Sequence, residues 1–326
     1  MDGHILPHLL LLRSIAKSQY IRSLVCVEHE QHDFIKDSPV WNKLTYIVNG
    51  FDVQNFQLTK PLKKNKNLIV YLGALIPQKG FHMLAKVWPK IILKNPDARL
   101  VVIGTGKLYD EKDQLGYLKI AEKSYEDKYI IPYLCDEKKK IIPSVNFVGK
   151  LGHEKKELLY KASIGIVNPT GNTENCPGAS LEFQACGTPI VTSVKYGLLD
   201  TVKHNKTGLL GRGANDLIQN ILKLLDNHDQ ALLLGKNGPI FVSNRYNWRK
   251  VTDEWSSLLV KVNKGDKIII KSMKHNYFHN YKIFIYINCF FQKIFGKIFF
   301  WPAVNELRSL VSKFYKKILK VLLIKN

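Results

Sequence analysis

Apolar residues are spaced along this chain in two alternating ways. Short runs dominated by Ile, Val and Leu, of strand length, stand at Leu68–Leu72, Arg99–Ile103, Val145–Val148, Ile164–Val167 and Ile190–Thr192. Helical stretches separate them: one that Pro77-Gln78-Lys79-Gly80 leads into and that runs through Trp88, then Lys155–Lys161, a short one ending at Gly187, and Leu217–Asp226. Strand and helix in alternation predict a parallel sheet covered by helices on both faces. Ligands of such sheets bind beyond the carboxyl ends of the strands, here the loops after Leu72, Ile103, Val148 and Val167. Upstream, Ile5–Lys17 reads as a helix with leucines on more than one face, and Ser23–Val27 and Tyr46–Val48 as short strands. Gln57–Asn67 is a basic, polar linker, and Asp110–Lys140 is so highly charged that it predicts a surface insertion of helix and loop. Downstream, Leu307, Leu310, Val311, Phe314, Ile318, Val321 and Leu322 follow helical spacing, with Lys313, Lys316, Lys317 and Lys320 on another side.

Composition adds three constraints. A chain of 326 residues with 45% apolar content is long enough for two domains and excludes wholesale disorder. A formal net charge of +22 points to an anionic partner: nucleotide phosphates, acidic lipid or nucleic acid. The five cysteines, Cys26, Cys135, Cys176, Cys186 and Cys289, form no CxxC pair and are odd in number. Neither a disulfide framework nor a zinc site follows, and a reducing cytoplasm fits best. The first residues lack the positive start of a signal peptide, and Leu9–Leu12 is too short an apolar run to span a bilayer. The basic, aromatic tail from Lys267 to Lys325 suits either an anionic membrane surface or the protein's own core. Its aromatics crowd with isoleucine, which argues against single-stranded nucleic acid.

The chemistry concentrates in Asn172–Ile190, NTENCPGASLEFQACGTPI. Pro177 and Gly178 mark a turn, and SLEFQACG is a short helix stopped by Gly187. Glu174 then lies in a loop and Glu182 in the next helix, which begins near Ala179 or Ser180. Free N–H groups at a helix start attract phosphate. Two carboxylates beside them can hold sugar or ribose hydroxyls, so the stretch suits a sugar joined to a nucleotide diphosphate. Glycoside hydrolysis also uses paired carboxylates, but they must flank the bond, and a helical Glu182 points away from it.

The spacing of Glu174 and Glu182, followed by ACGTPIV, resembles the signature of family 4 (group 1) retaining glycosyltransferases, which have the GT-B fold. Further blocks occur in that family's order: IVNGFD at Ile47–Asp52, GALIPQKGF at Gly73–Phe81, LVVIGTGKLY at Leu100–Tyr109, NFVGKLGHEKKELLYKASIGIVNPT at Asn146–Thr170 and HNKTGLL at His204–Leu210. The resemblance covers roughly Asn42 to Trp255. It implies an α/β, GT-B-like architecture: one complete Rossmann-like donor-binding domain at 68–264, a linker at 57–67, a remnant of an N-terminal acceptor domain at 1–56 and a basic extension at 265–326. It implies Glu174 at the donor sugar as the catalytic position, Glu182 on the ribose hydroxyls and Lys79 on the donor phosphates. Gly73, Gly104, Gly106, Gly178, Ala179 and Ser180 complete the donor-binding set. No metal or other cofactor is implied, and neither a DxD in a strand-end loop nor a His/Cys ligand spacing is present.

The implied activity is retaining transfer of a sugar from a nucleotide sugar to a glycan or lipid-linked acceptor, in the cytoplasm and at an anionic membrane surface if the tail binds one. The alternatives are a catalytically silent nucleotide-sugar-binding fragment and a peripheral membrane protein on the same scaffold. Three departures bear on the choice. Ala74 stands where the family usually has an arginine, Asn175-Cys176-Pro177 replaces the usual Gly-Phe-Gly, and only about fifty residues precede the linker where such a domain needs on the order of 150.

Overall fold

The structure, a computed structural model, describes residues 14–28, 43–56, 62–108, 114–266 and 268. They divide into two units. One holds the described residues up to Ile47 together with those from Ser256, and the other is Val48–Trp255. In the first unit, β1 (Leu24–Cys26) and β2 (Leu44–Tyr46) pair in parallel, with Leu24 opposite Leu44. Lys43 Nζ donates to the carbonyls of Ile15 (2.8 Å) and Ser18 (2.6 Å), neutralising the end of the helical turn at residues 14–17. The predicted amphipathic tail lies outside the described residues. None of the described helices is long and apolar enough to cross a membrane.

The second unit is built on six parallel strands: β3 (Asn65–Leu72), β4 (Arg99–Ile103), β5 (Val145–Gly149), β6 (Ala162–Ile166), β7 (Ile190–Ser193) and β8 (Gly208–Gly211). They lie side by side in the order β5-β4-β3-β6-β7-β8. The chain winds outward from β3 to β5, then returns to the other side of β3 and winds outward to β8. That reversal makes the gap between β3 and β6 the topological switch point. The main helices are α1 (Phe81–Lys94), α2 (Lys155–Lys161), α3 (Gly178–Ala185), α4 (Ala214–Asp226), α5 (His228–Tyr246) and α6 (Trp248–Lys264).

Period-two alternation in the strands divides the core between the two faces. Ile69, Tyr71, Leu100, Val102, Ile164 and Ile166 pack with the apolar stripes of α1 and α4. Leu68, Val70, Ile103, Ala162 and Val167 pack with Leu159 of α2 and Phe183 of α3. The Phe183 ring lies against β6 at Gly165, where a Cβ would come within 2.6 Å of it.

Three features differ from the sequence expectation. The charged segment before β5 is not a surface appendage: Ala121, Tyr125, Ile130 and Leu134 are buried in the core beside α1. A π-helical stretch, Glu126–Ile130, breaks the apolar spacing there and so hides it. Glu126 is itself buried, its carboxylate accepting the amides of Leu118 (2.7 Å), Ile120 (2.7 Å) and Ala121 (2.9 Å). Secondly, α5 is absent from the hydrophobic pattern, because it meets α3 through Gly235 and Gly238 rather than through large side chains. Thirdly, the stretch around Phe51 belongs with the sheet unit. The Phe51 N–H bonds the Tyr246 carbonyl (2.7 Å), and the Trp248 N–H bonds the Phe51 carbonyl (3.1 Å).

Candidate functional site

Three loops meet at the switch point. The first leaves β3 at Leu72, makes a single 3-10 turn at Pro77–Lys79 and enters α1 through Gly80. Proline opens that turn and glycine closes it, each where its backbone preference fits. Gly80 has φ 74, and a Cβ there would lie 2.8 Å from both Asn168 Oδ1 and Thr170 Oγ1, so conformation and space both require glycine. Tyr71, buried in β3, donates its hydroxyl to the Lys79 carbonyl (2.8 Å) and fixes the turn from beneath.

The second loop leaves β6 and carries Asn168, which is buried. Its amide nitrogen lies 3.0 Å from the Gln78 carbonyl, 2.8 Å from the Asn172 carbonyl and 2.9 Å from Glu174 Oε1. Its side-chain oxygen accepts from Thr170 Oγ1 (2.8 Å) and from the Gly171 N–H (3.1 Å). One side chain therefore ties the β3 loop to the β6 loop and aims Glu174. The same Glu174 oxygen accepts from Lys79 Nζ at 2.8 Å. The carboxylate is 8% exposed and the ammonium 20%, so this pair is much drier than a surface bridge. A third loop, after β7, backs the Glu174 segment. The Gly197 N–H bonds the Glu174 carbonyl (2.9 Å), and a Cβ at Gly197 would fall 1.3 Å from the Asn175 carbonyl oxygen.

Pro177 then leads into α3 without a side-chain cap. The Ser180 N–H is bonded to the Pro177 carbonyl (3.0 Å), which leaves the amides of Gly178 and Ala179 at the head of the helix. These elements enclose a cavity of about 180 Å³, lined by Gly73, Ala74, Lys79, Asn168, Glu174, Pro177, Gly178 and Ala179, with Tyr71, Leu72 and Val167. A lysine ammonium, a helix start and an aimed carboxylate thus face one small volume. That arrangement can hold an anion and hydrogen-bond a hydroxyl beside it.

Of the residues singled out in the sequence, Gly73, Lys79, Glu174, Gly178 and Ala179 come together around this cavity. Gly104, Gly106, Ser180 and Glu182 do not line it. Gly104 has φ 145 and abuts the Gly73 carbonyl, from which a Cβ would lie 1.9 Å. Gly106 fits against the backbone of Ala121. The Ser180 hydroxyl is buried with no hydrogen-bond partner among the described residues. Glu182 is one turn further along α3, against Lys155.

Sequence reasoning missed Asn168, Tyr71 and Lys155. An Asn-Pro pair directly after a buried strand is a signal for the first; Tyr71 reads only as core. His204 accepts the Leu210 N–H at 3.0 Å, an internal contact of its loop. Among the described residues, Cys26, Cys135, Cys176 and Cys186 form no disulfide. Among the described residues, no three His, Cys, Asp or Glu side chains are grouped to hold a metal ion.

The strand order, and a cavity at the reversal of that order, define a Rossmann-like domain of the GT-B type. The chain belongs to the family described as glycosyl transferases group 1, whose sequence pattern matches residues 53–241. It is 25% identical over 228 residues to an uncharacterized glycosyltransferase of Methanocaldococcus jannaschii, covering 65% of this chain and 53% of that one. It is also 25% identical over 240 residues to a GDP-mannose-dependent alpha-(1-6)-phosphatidylinositol monomannoside mannosyltransferase of Mycobacterium tuberculosis, covering 68% of this chain and 56% of that one. The chain thus spans about half the length of the curated relatives it matches. Among solved structures, Anabaena HepE in complex with UDP and glucose superposes with a TM-score of 0.61 at 15% identity, over 80% of this chain and 70% of that one. This likeness shows the shared fold.

Proposed function

We propose that the chain binds a nucleotide-diphosphate sugar at the switch point and takes part in retaining transfer of that sugar to a glycan or lipid-linked acceptor. The observation that carries this reading is the Lys79–Glu174 pair facing the start of α3 across the cavity. The bond to Glu174 uses one of three ammonium donors, and Lys79 with the Gly178 and Ala179 amides would take the diphosphate. Glu174 would hold the donor sugar. At about 180 Å³ the cavity is smaller than the ~300 Å³ at which small-molecule clefts usually begin, so it suits the sugar-diphosphate portion of a donor. The reading needs no metal, because Lys79 and the helix start supply the positive charge.

Names among the relatives support the substrate class without choosing a base: one is GDP-mannose-dependent, and another was solved with UDP and glucose. The phosphatidylinositol mannoside named for the first supports a lipid-linked acceptor. A second reading, a catalytically silent nucleotide-sugar-binding module, is favoured by Ala74, which puts a methyl group on the cavity wall where the family usually has an arginine.

Calorimetric titration with UDP, GDP, UDP-glucose and GDP-mannose tests the binding step. Lys79→Met removes a charged hydrogen bond worth about 1.5–3 kcal/mol and should weaken the tightest of these ligands about tenfold or more. Equal affinity in the variant, or no binding of any of the four to the parent chain, would sink the assignment. Release of nucleoside diphosphate from the bound donor, dependent on added acceptor, separates transferase from silent module.

A further inference from the structure

The loop that carries Glu174 is held in a backbone conformation that its sequence does not favour. Among the described residues, six that are not glycine have positive φ, and three of these border the cavity loops: Asn168 (φ 31), Thr173 (φ 56) and Tyr196 (φ 49). Asparagine tolerates this region, but a β-branched residue such as Thr173 is crowded there by its own backbone. The Asn168 side chain offsets its conformation with bonds to Gln78 and Glu174. Thr173 is exposed, and its hydroxyl bonds no group among the described residues, so its own side chain offsets nothing.

The hold on Thr173 comes from its neighbours. The Asn168 amide holds the Asn172 carbonyl (2.8 Å), and the Gly197 N–H holds the Glu174 carbonyl (2.9 Å). Lys79 and Asn168 hold the Glu174 carboxylate. Upstream the loop is braced: Lys195 Nζ donates to the Thr170 carbonyl (3.0 Å), and a Cβ at Gly171 would lie 2.7 Å from the Ser193 hydroxyl oxygen. Asn172 and Thr173 are thus the exposed joint of an otherwise fixed loop. Return of Thr173 to an ordinary φ is a rotation of roughly 120°. That rotation cannot preserve the contacts on both sides of it, and Glu174 leaves Lys79.

We infer that Thr173 is a positioning residue that limits how tightly the cavity holds its ligand. Its left-handed backbone aims Glu174 at Lys79, and its branched side chain keeps that aim strained. The inference rests on the cavity being a nucleotide-sugar site. In one arrangement of the loop Glu174 lines the cavity; in the other Thr173 has relaxed and Glu174 has withdrawn. A nucleotide sugar that needs Glu174 binds only the first, so its apparent affinity falls with the share of time spent in the second. Withdrawal relieves the strain and so hastens release. Tighter holding of a donor in its ground state would not speed transfer, so a weakened grip is compatible with turnover.

The full chain, Thr173→Asn and Thr173→Val are compared by thermal unfolding and by titration with UDP-glucose or GDP-mannose, whichever binds. Asparagine accepts the left-handed region, whereas valine keeps the branch and loses only the hydroxyl. Without ligand, Thr173→Asn should melt about 2 °C or more above the parent. It should also bind the nucleotide sugar about threefold or more tightly, with slower dissociation in stopped-flow measurements. Thr173→Val should show neither gain. An asparagine variant that melts no higher than the parent would mean that Thr173 is unstrained. One that melts higher but binds no tighter would mean that the loop does not govern the cavity. Either result overturns the inference, as does a valine variant that gains as much affinity as asparagine, because the hydroxyl would then be the cause. If neither the parent nor Thr173→Asn binds a nucleotide sugar, the cavity reading itself fails and the inference falls with it, even where the melting temperature rises.

Discussion

Lys64 sets burial against charge more sharply than the pairs at the site. It precedes β3, and its ammonium reaches the Thr188 hydroxyl and, at 3.4 Å, the Cys186 carbonyl. Burial pulls its pKa down to about 8, opposed by the attraction of the Cys186 sulfur. Between that value and the ordinary 10.5, the unfolded chain holds a proton that the folded chain has released. Stability owed to Lys64 is therefore full above 10.5 and is lost as pH falls through about 8. The span is roughly 3 kcal/mol, at 1.36 kcal/mol per pH unit. Cys186 acts in the opposite sense. Burial pushes its thiol up to about 12, so the unfolded chain loses that proton first and stability falls with rising pH. Urea unfolding of the parent and of Lys64→Met separates the two. The stability difference between them should move in favour of the parent by about 2–3 kcal/mol between pH 7.5 and 10.5, and a flat difference would refute the assignment. Nothing in the sequence marks Lys64, since its partners lie more than a hundred positions away. Glu174 and Glu182 stood out because their spacing and surroundings are local. Asn168 and Lys155 act between loops, and only the sheet order brings those loops together.

At the scale of elements, β3 to β7 were readable because a parallel strand buried on both faces must be a short apolar run. The amphipathic α4 was readable for the same kind of reason, its buried residues recurring at helical spacing. The helix α5 was not, and its glycines explain why. Ala231, Leu234, Gly235, Gly238, Val242 and Tyr246 form its buried face, which is too small at its centre to register as an apolar stripe. That face exists to let α5 close on the end of α3. A Cβ at Gly235 would lie 2.3 Å from the Gly187 carbonyl oxygen, and one at Gly238 2.6 Å from that of Gln184. Gly→Ala in a helix interior ordinarily stabilises by about 1 kcal/mol. Here the backbone of α3 would have to move, and overpacking of this kind costs typically about 1–3 kcal/mol. Gly235→Ala should therefore lower the melting temperature of the protein. A raised melting temperature would mean that α5 does not press on α3 as closely as these distances require.

At the scale of the molecule, the alternation of strands and helices predicted the sheet domain, and the family blocks placed its cavity. The segment before β5 escaped because its charges outnumber its buried residues and a π-helical stretch shifts their spacing. What the sequence could not show is how self-contained the site is. Every contact that builds the cavity joins residues between Tyr71 and Gly197, and both halves of the core lie within Val48–Trp255. A unit with its own core and all of its site contacts should fold and bind by itself. A fragment of residues 48–266 keeps this unit and leaves α6 uncut. It should unfold in one cooperative urea transition. Its affinity for whichever nucleoside diphosphate binds the full chain should stay within about threefold, a difference below about 0.7 kcal/mol. Weaker binding by a cooperatively folded fragment would place part of the donor site in the first unit. A fragment without a cooperative transition would show that the sheet unit depends on residues outside it.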